Sequence, residues 1–302
     1  MLHRPRNAKA SLSSAGSGAA ERKSENDARF SFAKFASHQF FKEVNTWLVA
    51  HAGILSDSQV VDLGCGPGLV SELILERMGP GATGIVYAVD PSPAALDLAR
   101  ARIRSKIVQF VQGAAEQIAT LIPSADVVLF CNAIHLIADK AQVLSSIART
   151  LKPNGILAFN TTFFHGAYPG NTPRFYKHWI LRATRWLQER NFQVARGVKA
   201  TAMQWLHVDE YRDLLRSAGF EEVTMELQEK PLSRQSLEDI SEFSLFIEGA
   251  LPGVSLEVGS EALKAGVRRA FEELQLEMVP RNWLQAVARL TRTPTPSLLA
   301  SP

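Results

Sequence analysis

The chain has 302 residues, of which 46% are hydrophobic and 21% charged, values that fit one large globular domain with a sizeable core. Its net charge of +3 is matched by residues 1–29 alone, where Arg4, Arg6, Lys9, Arg22, Lys23 and Arg29 stand against Glu21, Glu25 and Asp27. The neutral remainder argues against a nucleic-acid partner, and two cysteines, Cys65 and Cys131, exclude a disulfide framework and point to a reducing, cytoplasmic setting.

Residues 1–28 are rich in Ser, Ala, Gly and Arg, which predicts a disordered tail. The tail lacks the apolar core of a secretory signal; a transit peptide would share its composition. A helical cap follows over 29–58, where Phe40, Val44, Trp47 and Leu48 recur at spacings of three and four. Over 59–162 apolar strands alternate with helices. The strands are expected at 59–63, 84–89, 107–111, 125–130 and 155–159, and the helices at 69–78, 93–104, 114–122 and 139–151. That alternation predicts a doubly wound α/β domain, its parallel sheet covered on both faces. The pattern breaks over 163–207, an aromatic-rich insertion with a helix near 173–190 that reads as a lid. Residues 208–292 resume the core with a helix at 208–218, a strand at 222–227, a helical insertion over 236–276 and a last strand within 277–290. A loose tail, 293–302, ends the chain. No apolar run approaches the ~20 residues that a membrane span needs, and no ligand cluster suggests a metal.

The chemistry centres on Asp62-Leu63-Gly64-Cys65-Gly66-Pro67-Gly68, a Gly-rich turn between a strand and a helix where a ligand can meet bare backbone. It is not the dinucleotide fingerprint, because Leu69 stands where Gly or Ala is required, and it lacks the Lys and Ser/Thr of a phosphate-binding loop. Asp90 ends the second strand 22 residues after Gly68, placed to accept hydrogen bonds from ribose hydroxyls. The plainer alternative is that Asp90 only caps the next helix.

These residues resemble the class I S-adenosylmethionine-dependent methyltransferases. Asp62, Gly64, Gly66 and Gly68 match the family's first motif, and Asp90 its ribose-binding acid. The stretches 126–135 and 151–157 resemble its fourth-strand motif and the turn into its fifth strand. The resemblance implies a seven-stranded sheet of order 3-2-1-4-5-7-6 with strand 7 antiparallel, and S-adenosylmethionine as cofactor. It also implies cofactor contacts from Cys65, Pro91, Ala114, Ala115, Glu116, Cys131 and Asn132. Ala114 stands where the family often has an Asp that contacts adenine.

Methyl transfer from a sulfonium is a direct displacement, so the protein chiefly aligns the acceptor and excludes water. A base is needed only where the acceptor loses a proton as it reacts. His135, just past the fourth strand, is the candidate base, with a purely pocket-shaping role equally open; His165 and His207 read as loop or lid packing. Phe35, Phe40, Phe164, Tyr168, Tyr176 and Trp179 are the expected substrate contacts. Phe175, Trp179, Ala183 and Trp186 share one helical face, either packing on the core or roofing an acceptor cavity. Lys177, Arg182, Arg185 and Arg190 leave open an anionic substrate group. The expected function is methylation of a small organic molecule in specialised metabolism. Alternatives are methylation of RNA or protein, a scaffold that cyclises or rearranges a small molecule, and a non-catalytic binding subunit.

Overall fold

The computed structural model describes residues 30–192 and 205–291. The tails expected at 1–28 and 293–302, and part of the expected lid, lie outside the described residues. Seven strands form one sheet: β1 (Gln59–Leu63), β2 (Ile85–Asp90), β3 (Val108–Gln112), β4 (Ala125–Cys131), β5 (Leu151–Thr161), β6 (Phe220–Ser233) and β7 (Met278–Leu290). Their order is β3-β2-β1-β4-β5-β7-β6. β7 runs antiparallel to both of its neighbours, and the other pairs are parallel. This is the order and direction the family resemblance implies.

The helices are α1 (Ala33–Ala36), α2 (Gln39–His51), α3 (Leu69–Met78), α4 (Pro93–Arg102), α5 (Ile118–Leu121), α6 (Lys140–Thr150), α7 (Thr172–Gln188), α8 (Val208–Ser217), α9 (Arg234–Ile240), α10 (Ser244–Ala250) and α11 (Leu256–Leu274). Apolar runs such as Val127 to Phe130 are buried on both faces of the sheet, because helices cover both. One covering core includes Phe130, Ile147, Leu157 and Tyr211. The opposite core includes Leu48, Ile74, Val86 and Leu129.

Two findings depart from the sequence reading. The expected strand at 222–227 is twice as long, because β6 pairs with β7 from Phe220↔Leu290 to Ser233↔Met278. β5 reaches only Leu284 of β7, so the ribbon of 228–233 and 278–283 overhangs the sheet. β6 is the edge strand, and its Glu222, Glu226, Lys230 and Pro231 suit an edge that must not recruit further strands. The second finding is that the expected lid and the helical insertion share one core. α7 packs along α11 with Trp179, Ala183 and Leu187 fully buried. The Trp179 indole donates to Leu263 O at 2.8 Å. Gly266 permits the approach, since a Cβ there would lie 2.7 Å from Ala183 N and 2.8 Å from Trp179 O. Trp186 is half-buried, with Arg190 over its ring, so the buried face of α7 is centred on Tyr176, Trp179, Ala183 and Leu187.

Candidate active site

Parallel strands that all end on one edge bring their following loops together. The turn after β1 is tied to β2 by Gly64 N and Cys65 N, which donate to Val89 O at 2.8 and 3.0 Å. Gly66, with φ +51°, has open space where a Cβ would stand, so main chain is bare to a ligand there. Gly66 N donates to Asp90 Oδ2 at 2.8 Å, and Ser92 N to Oδ1 at 2.9 Å. Asp90 is thus held at the mouth of the turn, 9% exposed. After β3, Gly113 N donates to Asp90 O, and Ala114 N to the Gln117 side chain.

A third strand end carries a polar chain. Asn45 of α2 accepts from Asn160 Nδ2, and Asn160 accepts from Asn132 N at the tip of β4. Asn132 Oδ1 accepts from the Trp283 indole at 2.9 Å, and its buried Nδ2 has no partner among the described residues. This network links α2, β4, β5 and the β7 overhang. Its members are far apart in sequence, so no local motif announces it.

The loops surround a cavity of about 660 Å³, within the range of about 300–1,000 Å³ typical of small-molecule sites. Of the residues expected at a cofactor, Gly64, Cys65, Gly66, Asp90, Pro91, Ala114, Ala115, Glu116, Cys131 and Asn132 line it. Asp62 and Gly68 do not. Asp62 lies beneath the turn, 1% exposed, where it accepts from Ser71 Oγ at 2.6 Å. Burial raises its pKa to about 7, opposed by the Ser71 hydrogen bond and reinforced by the Asp90 charge. Gly68 heads α3 against Ile103 and Ala99. Their place in the motif is to shape the turn.

Of the expected substrate contacts, Phe35, Tyr168, Tyr176 and Trp179 line the same cavity. Phe164 is fully buried in the sheet core, and Phe40 packs on His38 and Trp283 outside the lining, so neither contacts this space. The basic residues read as possible anion binders face outward. Arg182 and His178 pair with Glu273, Arg185 with Glu189, Arg190 lies over Trp186 and Lys177 is exposed. Among the described residues the Lys or Arg that lines the cavity is Arg281, which sequence reasoning missed. Its signal was a charge inside an apolar alternation, Val279, Arg281, Trp283, on one strand face.

His135 lines the cavity with its ring stacked on Phe163 at 4.1 Å and Nδ1 3.3 Å from Thr161 Oγ1. Burial, then the Arg281 and Lys140 charges, lowers its pKa to about 3. That runs against the general-base role expected from sequence, since such an imidazole is too weakly basic to hold an acceptor's proton at neutral pH. Burial also raises both thiols, Cys65 and Cys131, which makes them unreactive packing groups. His165 and His207 stack on one another outside the lining. Among the described residues no group of three or more His, Cys, Asp or Glu could hold a metal ion, and no helix is long and apolar enough to cross a membrane.

Residues 61–159 match the methyltransferase domain family. The ubiquinone biosynthesis O-methyltransferase of Azorhizobium caulinodans is 34% identical over 109 residues, which is 35% of this chain and 41% of that protein. The match therefore spans under half the length of that curated relative. Among solved structures, the phosphoethanolamine N-methyltransferase 2 of Haemonchus contortus with bound S-adenosyl-L-methionine aligns at TM-score 0.51 and 17% identity, covering 86% of this chain and 56% of that one. The [4+2]-cyclase SpnF aligns at TM-score 0.51 and 18% identity, covering 88% and 84%. Residues 61–159 therefore carry a methyltransferase domain, set in a sheet with the order and directions of the methyltransferase Rossmann-like folds.

Proposed function

We propose that the chain transfers a methyl group from S-adenosylmethionine to a small organic acceptor, of the kind handled in specialised metabolism, in a reducing cytoplasmic setting. The observation that carries this reading is the continuity of the cavity. It runs from Gly64–Gly66 and Asp90 to an aromatic chamber of Phe35, Tyr168, Tyr176 and Trp179, so donor and acceptor can share one enclosed space. The residues fit the cofactor. Gly66 leaves main chain open to a ligand, Asp90 is fixed for ribose hydroxyls, and the unpartnered Asn132 Nδ2 offers a donor near the β4 tip. The sulfonium supplies an activated methyl group when bound. The protein aligns the acceptor among rigid aromatic walls and excludes water, which is where such a displacement gains its rate. His135 stays neutral and shapes the chamber, so the best acceptors are those that need no strong base at the moment of transfer.

The test is calorimetry with S-adenosylmethionine and S-adenosylhomocysteine, then incubation of labelled cofactor with phenolic, terpenoid and carboxylate acceptors and mass detection. Micromolar cofactor binding with label in a product and matching S-adenosylhomocysteine supports the reading. Product formed without demethylated cofactor shifts it to cyclisation, the activity named for the fold neighbour SpnF. No cofactor binding ends it.

A further inference from the structure

Arg281 is 5% exposed and lines the cavity wall. Its Nε donates to Thr162 Oγ1 at 2.6 Å and its Nη2 to Thr162 O at 2.7 Å. Three aromatic rings pack around the guanidinium, with Phe163, Tyr168 and Tyr176 centroids at 5.1, 4.8 and 5.0 Å. Among the described residues none of its contacts is a carboxylate. Buried arginines are ordinarily paired, and a guanidinium cannot escape its charge by losing a proton. Thr162 takes one N–H from Nε and one from Nη2. The remaining N–H groups face the Tyr168 and Tyr176 hydroxyls and the cavity, and these neutral oxygens leave the guanidinium charge without a counter-charge.

A second observation points the same way. The Tyr176 hydroxyl is buried with only Arg281, a donor, as its hydrogen-bonding neighbour, so its own proton has no acceptor among the described residues. Close by, His135 has Thr161 Oγ1 at Nδ1, and that oxygen already accepts from Phe163 N. The Thr161 hydroxyl proton is therefore available to Nδ1, which leaves Nε2–H as a donor. One fixed positive charge, a phenol and a neutral imidazole amount to a donor-rich pocket for a single negative charge.

We propose that Arg281 docks a carboxylate carried by the acceptor substrate, with the Tyr176 hydroxyl as a second donor. One cation matches a monoanion; a phosphate dianion would be left half-neutralised within aromatic walls. The inference rests on the methyl-transfer reading only in naming the carboxylate's bearer as the acceptor. Arg281 stands on β7, three strands from the cofactor turn after β1, about 14 Å away laterally at ~4.8 Å per strand. That separation assigns it to the acceptor's end of the cavity.

The experiment uses the whole chain saturated with S-adenosylhomocysteine and titrated with cinnamate and with its neutral isostere cinnamamide. The wild type should bind cinnamate at least tenfold more tightly than the amide. Arg281→Met should abolish that preference while S-adenosylhomocysteine affinity changes less than threefold, and Arg281→Lys should restore part of it. Equal affinity for the two probes in the wild type, or no cinnamate binding at millimolar concentration, overturns the proposal without needing any variant. A tenfold loss of S-adenosylhomocysteine affinity in folded Arg281→Met overturns it too, because the guanidinium would then hold the cofactor's own carboxylate. Failure of the wild type to bind S-adenosylhomocysteine is a separate result that counts against the methyl-transfer reading.

Discussion

The two halves of the cavity are built in opposite ways. The half proposed for the cofactor is backbone: a turn of a few residues, locked by main-chain N–H groups to Val89 and Asp90. The half proposed for the acceptor is side chain, assembled from α1, α7, the α9–α10 segment and the β7 overhang, elements spread from residue 33 to residue 283. A backbone site needs glycines and one acid at fixed spacing, so a short stretch of chain sets its form. A side-chain site needs only that distant residues meet, so its chemistry can change while the turn stays the same. The methyltransferase-domain match covers residues 61–159, which leaves most of the acceptor wall outside it.

The hardest blow to the comparison is Trp179→Ala. Removing a fully buried Trp that also bonds Leu263 O should cost about 3–5 kcal/mol of stability. If the halves are independent, the folded fraction should still bind S-adenosylhomocysteine with unchanged affinity; urea unfolding and calorimetry on one preparation check both. A coupled loss of cofactor affinity would merge the two halves.

Acid should strike the acceptor half next. Folded His135 takes a proton only near pH 3, whereas the unfolded chain's imidazole takes one near 6.5, so the unfolded state binds more protons in between. Its contribution is complete above pH 6.5 and is lost as pH falls, by about 4 kcal/mol at pH 3.5. Asp62, beneath the cofactor half, has the opposite sign: protonated to about pH 7 when folded, it stabilises below its unfolded pKa of 3.8 and loses that contribution as pH rises through 7. The two windows lie between about pH 3 and 7 and overlap with opposite signs, so urea midpoints across that range should lose the rising component in His135→Gln and the falling one in Asp62→Asn. A slope that survives its own variant would locate the titrating group elsewhere.

Asp90→Ala tests the cofactor half directly. It should weaken S-adenosylmethionine binding by about 1.5–3 kcal/mol, the loss of charge-assisted hydrogen bonds. Unchanged affinity in a folded variant would remove the ribose assignment. The smallest expected effect is at the border between the halves, where Cys65 and Cys131 line the cavity as buried thiols. Iodoacetamide at neutral pH should leave both unmodified, as read by intact mass; rapid alkylation would reveal a thiolate that burial should forbid.

Local spacing carried the strands and the cofactor turn into view, because alternating apolar strands and a Gly-rich turn each follow from contacts a few residues apart, while the strand order came from the family resemblance. The same locality explains the misplacements. Phe164 lies among aromatics that suggest a substrate contact, yet in the loop after β5 its ring is buried in the sheet core while its neighbour Phe163 lines the cavity. Lys177 and Arg182 looked like anion binders on a helix near the site, but α7 must bury its apolar face on α11, which points them to solvent and to Glu273. Asp62 belongs to the motif as written, and only its depth beneath the turn separates shaping from contact. What the sequence by itself determined was therefore the framework and the donor end of the cavity. Tertiary structure alone decided the acceptor end: that β7 overruns β5, that the overhang carries Arg281 under three aromatic rings, and that His135 is buried beside that cation and so kept neutral. Those properties depend on which distant surfaces are forced together when water is excluded, and a buried charge or a depressed pKa exists only after that exclusion has happened.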